Sequence, residues 1–201
     1  MEICGGIAIR WLYNKKTATE DEAKLIVRQV ATGVKALHQA SIYHKDLKGS
    51  NWMLNRTTLG VKLIDFGMAV DNNDRTTDVF LADGYHVPEC FTVKELTPSR
   101  VDPWYIGVTL YMMMFIRKPF GMDQFMSDKP EYVRRVTNLE YDLPDNISTE
   151  LADFFRQTLT YEDKRLTIDG ILAHPFLASN QHLASAEVEQ SYDSDTGFNG
   201  Y

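Results

Sequence analysis

Tyr43-His44-Lys45-Asp46-Leu47-Lys48-Gly49-Ser50-Asn51-Trp52-Met53-Leu54 and, after a short polar stretch, Val61-Lys62-Leu63-Ile64-Asp65-Phe66-Gly67 decide the fold. Two apolar runs, Trp52 to Leu54 and Val61 to Ile64, flank a turn that contains Asn55 and Gly60, a pattern that predicts a β-hairpin. A hairpin returns its second end to its first, so Asp65 is expected close to Asn51, with Asp46 and Lys48 nearby. Two carboxylates, an amide oxygen and an ammonium suit a Mg²⁺-bound polyphosphate. The oxygens serve the metal, the cation serves phosphate, and one acid is left as a base. A bland alternative reads Asp46 as a helix or turn cap and Asp65 as an Asx-turn former.

Taken together, the two ends of this hairpin resemble the catalytic core of eukaryotic protein kinases. The family's H-R-D-L-x-x-x-N loop is matched by His44-Lys45-Asp46-Leu47-Lys48-Gly49-Ser50-Asn51, and its D-F-G by Asp65-Phe66-Gly67. The resemblance implies a mainly α fold. It would be a kinase-like large lobe, helical with a small β-hairpin carrying the catalytic loop and D-F-G. It also implies ATP and Mg²⁺ as cofactors, Asp46 and Lys48 as catalytic residues, and Asn51 and Asp65 as metal ligands. Lys48, Ser50 and Met53 fall in its nucleotide-binding set, Met53 as the floor under adenine. His44 matches a residue that packs beneath the D-F-G Phe, so a structural role is expected for it rather than proton transfer.

Outward from this core, Met1 to Gly6 resembles the kinase hinge, which would give Glu2 and Cys4 backbone contacts to adenine. The alternative is a frayed N-terminus. No Gly-rich loop or strand Lys precedes it, so the expected domain is residues 1–178, a large lobe with its small lobe missing. Thr19-Glu20-Asp21-Glu22 is a capping box. Leu25, Ile26, Val30, Val34 and Leu37 then recur at helical spacing, predicting an amphipathic helix over 19–39. His38, near its end, reads as a surface cap.

Asp71 to Ala82 is polar and aperiodic, like a kinase activation segment, with Thr76 and Thr77 as candidate phosphosites or simply solvated residues. Val87-Pro88-Glu89 stands for A-P-E, and its Glu is expected to pair with Arg165. Asp102-Pro103 predicts a helix start, with Asp as N-cap and Pro at the first position. The apolar run to Ile116 predicts a buried helix ended by Arg117, Lys118 and Pro119. Leu151 to Leu159 reads as another helix. From Ser179 to Tyr201 the composition predicts a disordered acidic tail.

Composition is that of an ordinary soluble globular protein: 201 residues, 44% hydrophobic, 24% charged, net charge -7. That charge argues against a nucleic-acid partner. The sequence has no run of 18 apolar residues and no signal-like N-terminus, which argues against a membrane or secreted protein. Cys4 and Cys90 lie in no ligand spacing and read as reduced thiols, pointing to an intracellular protein, cytoplasmic or nuclear.

By resemblance, the expected function is a Ser/Thr protein kinase that transfers the γ-phosphate of Mg-ATP to Ser or Thr hydroxyls of protein substrates. The alternative is a non-catalytic kinase-like interaction module. Lys48, two residues after the expected base, matches the Ser/Thr-specific pattern. Three residues depart from the family: Lys45 replaces Arg, Ala82 falls where a Thr usually bridges the base and the loop Lys, and Tyr105 replaces a small residue.

Overall fold

The computed structural model describes residues 18–55, 58–77, 81–93, 95–121 and 128–178. The expected contacts of Glu2 and Cys4 and the tail beyond residue 178 lie outside these residues.

Helix α1 spans Glu20–Gln39 and opens on the full capping box, with Thr19 and Glu22 exchanging side-chain and backbone bonds. Its buried stripe is Ala23, Ile26, Val27, Val30, Ala31 and Val34. Leu25 was expected in that stripe but is 43% exposed. At 3.6 residues per turn it lies about 180° around the helix from Val34, so one stripe cannot hold both. His38 is not a surface cap either, since its Nε2 lies 2.7 Å from the wholly buried Asp102 Oδ2.

A 3₁₀ turn at Gly49–Asn51 leads into strands β1 (Trp52–Leu54) and β2 (Val61–Leu63). They pair antiparallel in the register Trp52 with Leu63, Met53 with Lys62 and Leu54 with Val61. This is the predicted hairpin. Its alternation buries Trp52 and Leu54 and turns Met53 to the opposite, partly open face.

Helix α2 covers Glu89–Thr92, and α3 runs from Pro98 to Phe115. The start of α3 corrects the expectation at Asp102. Thr97-Pro98 carries the same cap-then-Pro signal one turn earlier, and the helix continues through Pro103. As the sixth residue of the helix, Pro103 lies past the unmatched first turn, and its missing amide leaves out one interior bond, that to the Ser99 carbonyl. Asp102 therefore points inward instead of capping. Residues 101–111 of α3 are buried throughout, but the apolar run does not stay buried to its end: Met112, Met114 and Phe115 are half-buried and Ile116 is exposed. The helix ends with Ile116 in the left-handed conformation. Lys118 does not close that end but donates to the Asp83 carbonyl.

Helices α4 (Lys129–Thr137), α5 (Thr149–Thr158), α6 (Ile168–Ala173) and α7 (Pro175–Ala178) complete the described fold. Helix α1 packs against β2, α3, α6 and α7, and α3 packs against α5. At the α3–α5 crossing, a Cβ on Gly107 would come within 2.6 Å of Thr158 Oγ1, so only glycine lets the helices meet there. The architecture is mainly helical with one small two-stranded sheet. Among the described residues, no helix is long and apolar enough to cross a membrane.

Candidate active site

The loop from Tyr43 to Asn51 is held from beneath by one carboxylate. Asp102, 0% exposed on α3, accepts from the backbone amides of His44 (3.1 Å) and Lys45 (2.8 Å). Lys45 takes a positive φ of 62°, an uncommon conformation for a non-glycine residue, and these bonds hold it there. The Thr109 hydroxyl, also from α3, donates to the Leu47 carbonyl at 3.2 Å. The one buried helix thus sets the loop's backbone.

That backbone places Asp46, 6% exposed, at the loop's centre. Its Oδ2 accepts from Lys48 Nζ at 2.7 Å and from Asn51 Nδ2 at 3.0 Å. Asn51 Nδ2 also donates to the Asp46 carbonyl at 2.8 Å. With its NH₂ committed to Asp46, Asn51 turns Oδ1 the other way, where it meets only the Ser50 hydroxyl at 3.5 Å.

The hairpin brings the second carboxylate alongside. The Ile64 amide donates to the Asn51 carbonyl at 3.0 Å, so Asp65 follows directly beyond Asn51. Asp65 has φ of 64° and accepts from the Gly67 amide at 3.3 Å. Its carboxylate is exposed. One exposed carboxylate and one amide oxygen, met at long range by the Ser50 hydroxyl, are hard donors of the kind Mg²⁺ takes. Among the described residues, no group of three or more His, Cys, Asp or Glu side chains forms a protein-only metal cage.

His44 is fully buried, with its ring 4.8 Å from that of Phe66 and its Nε2 3.2 Å from the Ile64 carbonyl. It touches the D-F-G Phe as the resemblance implies and does not face Asp46's free oxygen. Met53 stands on the open face of the hairpin, and Lys48 is spent on Asp46 rather than projecting alone.

The segment after D-F-G crosses over this loop. It is tied by the backbone bridges Tyr43 to Val70 and Thr76 to Leu96, and by Arg75, which bonds Glu95 and Glu162. Farther on, Glu89 is buried against Arg165.

A family model described as "Protein kinase domain" matches residues 1–177. The chain belongs to the protein kinase family. It is 33% identical over 187 residues to the mouse "Hormonally up-regulated neu tumor-associated kinase", covering 90% of this chain and 26% of that protein. Against "Serine/threonine-protein kinase PLK4" it is 31% identical over 214 residues in both Nematostella vectensis and Xenopus laevis. Those matches cover 96% and 100% of this chain but 21% and 22% of the relatives. The chain therefore spans about a quarter or less of the curated relatives it matches. The PLK4 relatives are named as Ser/Thr protein kinases, and the protein kinase family uses ATP and Mg²⁺.

Within this kinase frame, Asp102, which by sequence alone looks like a helix cap, holds the loop backbone, and His38, which looks like a surface group, bonds Asp102. Tyr105, a departure from the family pattern, instead holds the segment at Ala82. The signal for Asp102 was its place in Asp102-Pro103-Trp104, a stretch that resembles the family's D-x-W-S-x-G. The Tyr105 hydroxyl accepts from the Ala82 amide at 3.0 Å, and burial pushes it far above the usual tyrosine range.

Proposed function

We propose that this chain supplies the large lobe of a Ser/Thr protein kinase. In this reading the Asp46 carboxylate accepts the proton of a substrate Ser or Thr hydroxyl. The observation that carries it is the division of labour on that carboxylate. Oδ2 is occupied by Lys48 and Asn51, and Oδ1 accepts no hydrogen bond among the described residues. A base oriented through one oxygen and open at the other suits proton removal from an incoming hydroxyl.

Asn51 Oδ1 and the Asp65 carboxylate would hold Mg²⁺. Ser50 and Met53 border the same hairpin face and would contact nucleotide. Lys48, already beside the base, would lean between Asp46 and the transferred phosphate as a mobile point charge. When bound, Mg-ATP supplies the phosphoryl group and the cation charge that offsets its oxygens. The protein's share is positioning, an exposed metal ligand and an oriented base. Protein Ser and Thr hydroxyls would be the acceptors.

The test is radiolabelled phosphate transfer from Mg-ATP to a Ser/Thr peptide pool. It would use the natural gene product that carries this chain, beside its Asp46→Asn variant. Transfer by the wild type that is lost in the variant is the expected result. If neither transfers phosphate, or both transfer it equally, the catalytic reading fails and a kinase-like interaction module takes its place.

A further inference from the structure

Two tyrosines form a stacked layer between helix α3 and the loops above it. The rings of Tyr85 and Tyr105 lie 4.7 Å apart and 16° from parallel. Both are buried, at 3% and 0% exposure. Their hydroxyls point to different loops. The Tyr85 hydroxyl accepts from the Gly49 amide of the catalytic loop at 3.5 Å and lies 3.4 Å from Thr109 Oγ1. The Tyr105 hydroxyl accepts from the Ala82 amide, in the segment that passes over Asp46.

Ala82 carries no polar side-chain atom with which to fasten itself to the catalytic loop. Its backbone is nonetheless fixed on both sides. The amide is held by Tyr105, and the carbonyl closes a turn by accepting from the Tyr85 amide at 2.9 Å. That turn needs Gly84, whose φ is 76° and where a Cβ would come within 2.5 Å of the Lys118 side chain. Tyr105, Ala82, Asp46 and Lys48 all line one cavity of about 180 Å³, so the anchored segment and the base border the same space.

We propose that Tyr105 is a positioning residue: through the Ala82 amide its hydroxyl holds the segment at 81–85 in register over Asp46. The link to turnover rests on the phosphotransfer reading above, whereas the anchoring itself does not. Loss of the hydroxyl releases the Ala82 backbone donor from α3, leaving the Tyr85 side chain as the contact by which α3 still holds this segment. The segment then slides relative to the carboxylate, and a bound acceptor hydroxyl loses its alignment. Such a loss falls on kcat rather than on nucleotide KM, because the cavity that Tyr105 shares with Asp46 is not lined by Ser50, Asn51, Met53 or Asp65.

The experiment compares Tyr105→Phe, which keeps the ring stack, with Tyr85→Phe, which removes an equally buried hydroxyl from the same stack. Two readouts are taken on the full chain: amide hydrogen exchange at Ala82, and kcat with KM for ATP. Tyr105→Phe is expected to speed Ala82 exchange by about tenfold. It should lower kcat by about tenfold with KM unchanged. Tyr85→Phe should leave Ala82 exchange unaltered. Unchanged Ala82 exchange in Tyr105→Phe, or equal acceleration in both variants, overturns the anchoring. Faster exchange with unmoved kcat overturns the positioning role. If wild type transfers no phosphate, the kinase reading fails by itself, and Ala82 exchange still decides whether Tyr105 anchors the segment.

Discussion

Arg165 holds Glu89 with a single nitrogen, Nη2, which donates to both carboxylate oxygens at 3.1 and 3.0 Å. The side chains are 1% and 4% exposed. The other guanidinium nitrogens donate to the Thr160 and Arg100 carbonyls, and the group lies 4.9 Å from the Trp104 ring. Glu89 also accepts from the Glu162 amide at 2.5 Å. One pair thus gathers the start of α2, the start of α3 and the turn before α6.

Arg165→Ala leaves a buried carboxylate without its cation and two carbonyls without donors. A loss of about 3–5 kcal/mol is expected, lowering the thermal midpoint by on the order of 10 °C. Arg165→Lys should recover only part of this, because one ammonium cannot serve all three acceptors. Thermal denaturation followed by circular dichroism measures it. An unshifted midpoint for Arg165→Ala would show that the pair does not hold these elements together.

Asp46→Asn and Asp65→Asn should separate chemistry from metal binding. In the proposed roles, the first keeps shape but removes the proton acceptor, so turnover is expected to fall by about 10²–10⁴-fold with nucleotide affinity little changed. The second would remove a metal ligand and should abolish transfer while also weakening Mg-ATP binding. Transfer assays paired with nucleotide titration distinguish them, and identical signatures would refute the assignment of roles.

Arg75 is bonded to Glu95 and Glu162 while its neighbour Thr76 bridges Leu96. The group is solvent-exposed, so its ion pairs should yield to salt. Screening at 1 M shortens the Debye length to about 3 Å. Hydrogen exchange over residues 71–77 is therefore expected to accelerate in Arg75→Ala, and in wild type at high salt. Exchange insensitive to both would mean that the backbone bridges alone fix the segment.

Burial lowers the pKa of His86 below the usual imidazole value, with Asp83 opposing and Lys129 and Lys118 adding to the shift. The unfolded chain therefore binds this proton more readily than the folded one. His86's contribution is complete above the unfolded value near 6.5 and is lost as pH falls below it. His86→Gln should flatten the fall in thermal midpoint between about pH 7.5 and 5.5. Parallel pH curves for the two proteins would rule His86 out as the source.

Local signals carried much of the fold: the capping box at Thr19, the hairpin around Asn55 and Gly60, and the apolar run of α3. The placement of Asp46, Asn51 and Asp65 followed from motif order plus hairpin geometry. What escaped was long-range. Leu25 has the composition of a core residue, yet its angle around α1 puts it outside. Thr97-Pro98 and Asp102-Pro103 carry the same start signal, and only packing decides between them. Nothing within ten residues of Asp102 indicates that its partners are the amides of His44 and Lys45. The same holds for Tyr105, whose hydroxyl has meaning only once Ala82 is above it.

The bonds from Asp102 to the His44 and Lys45 amides have a thermodynamic corollary. A loop that must be ordered by its ligand charges that ordering entropy against affinity. Here the left-handed Lys45 and its neighbour are fixed by a carboxylate inside the folded core, before any ligand arrives. On this side of the site, preorganisation is inherited from folding stability, so binding energy remains available for the reacting groups.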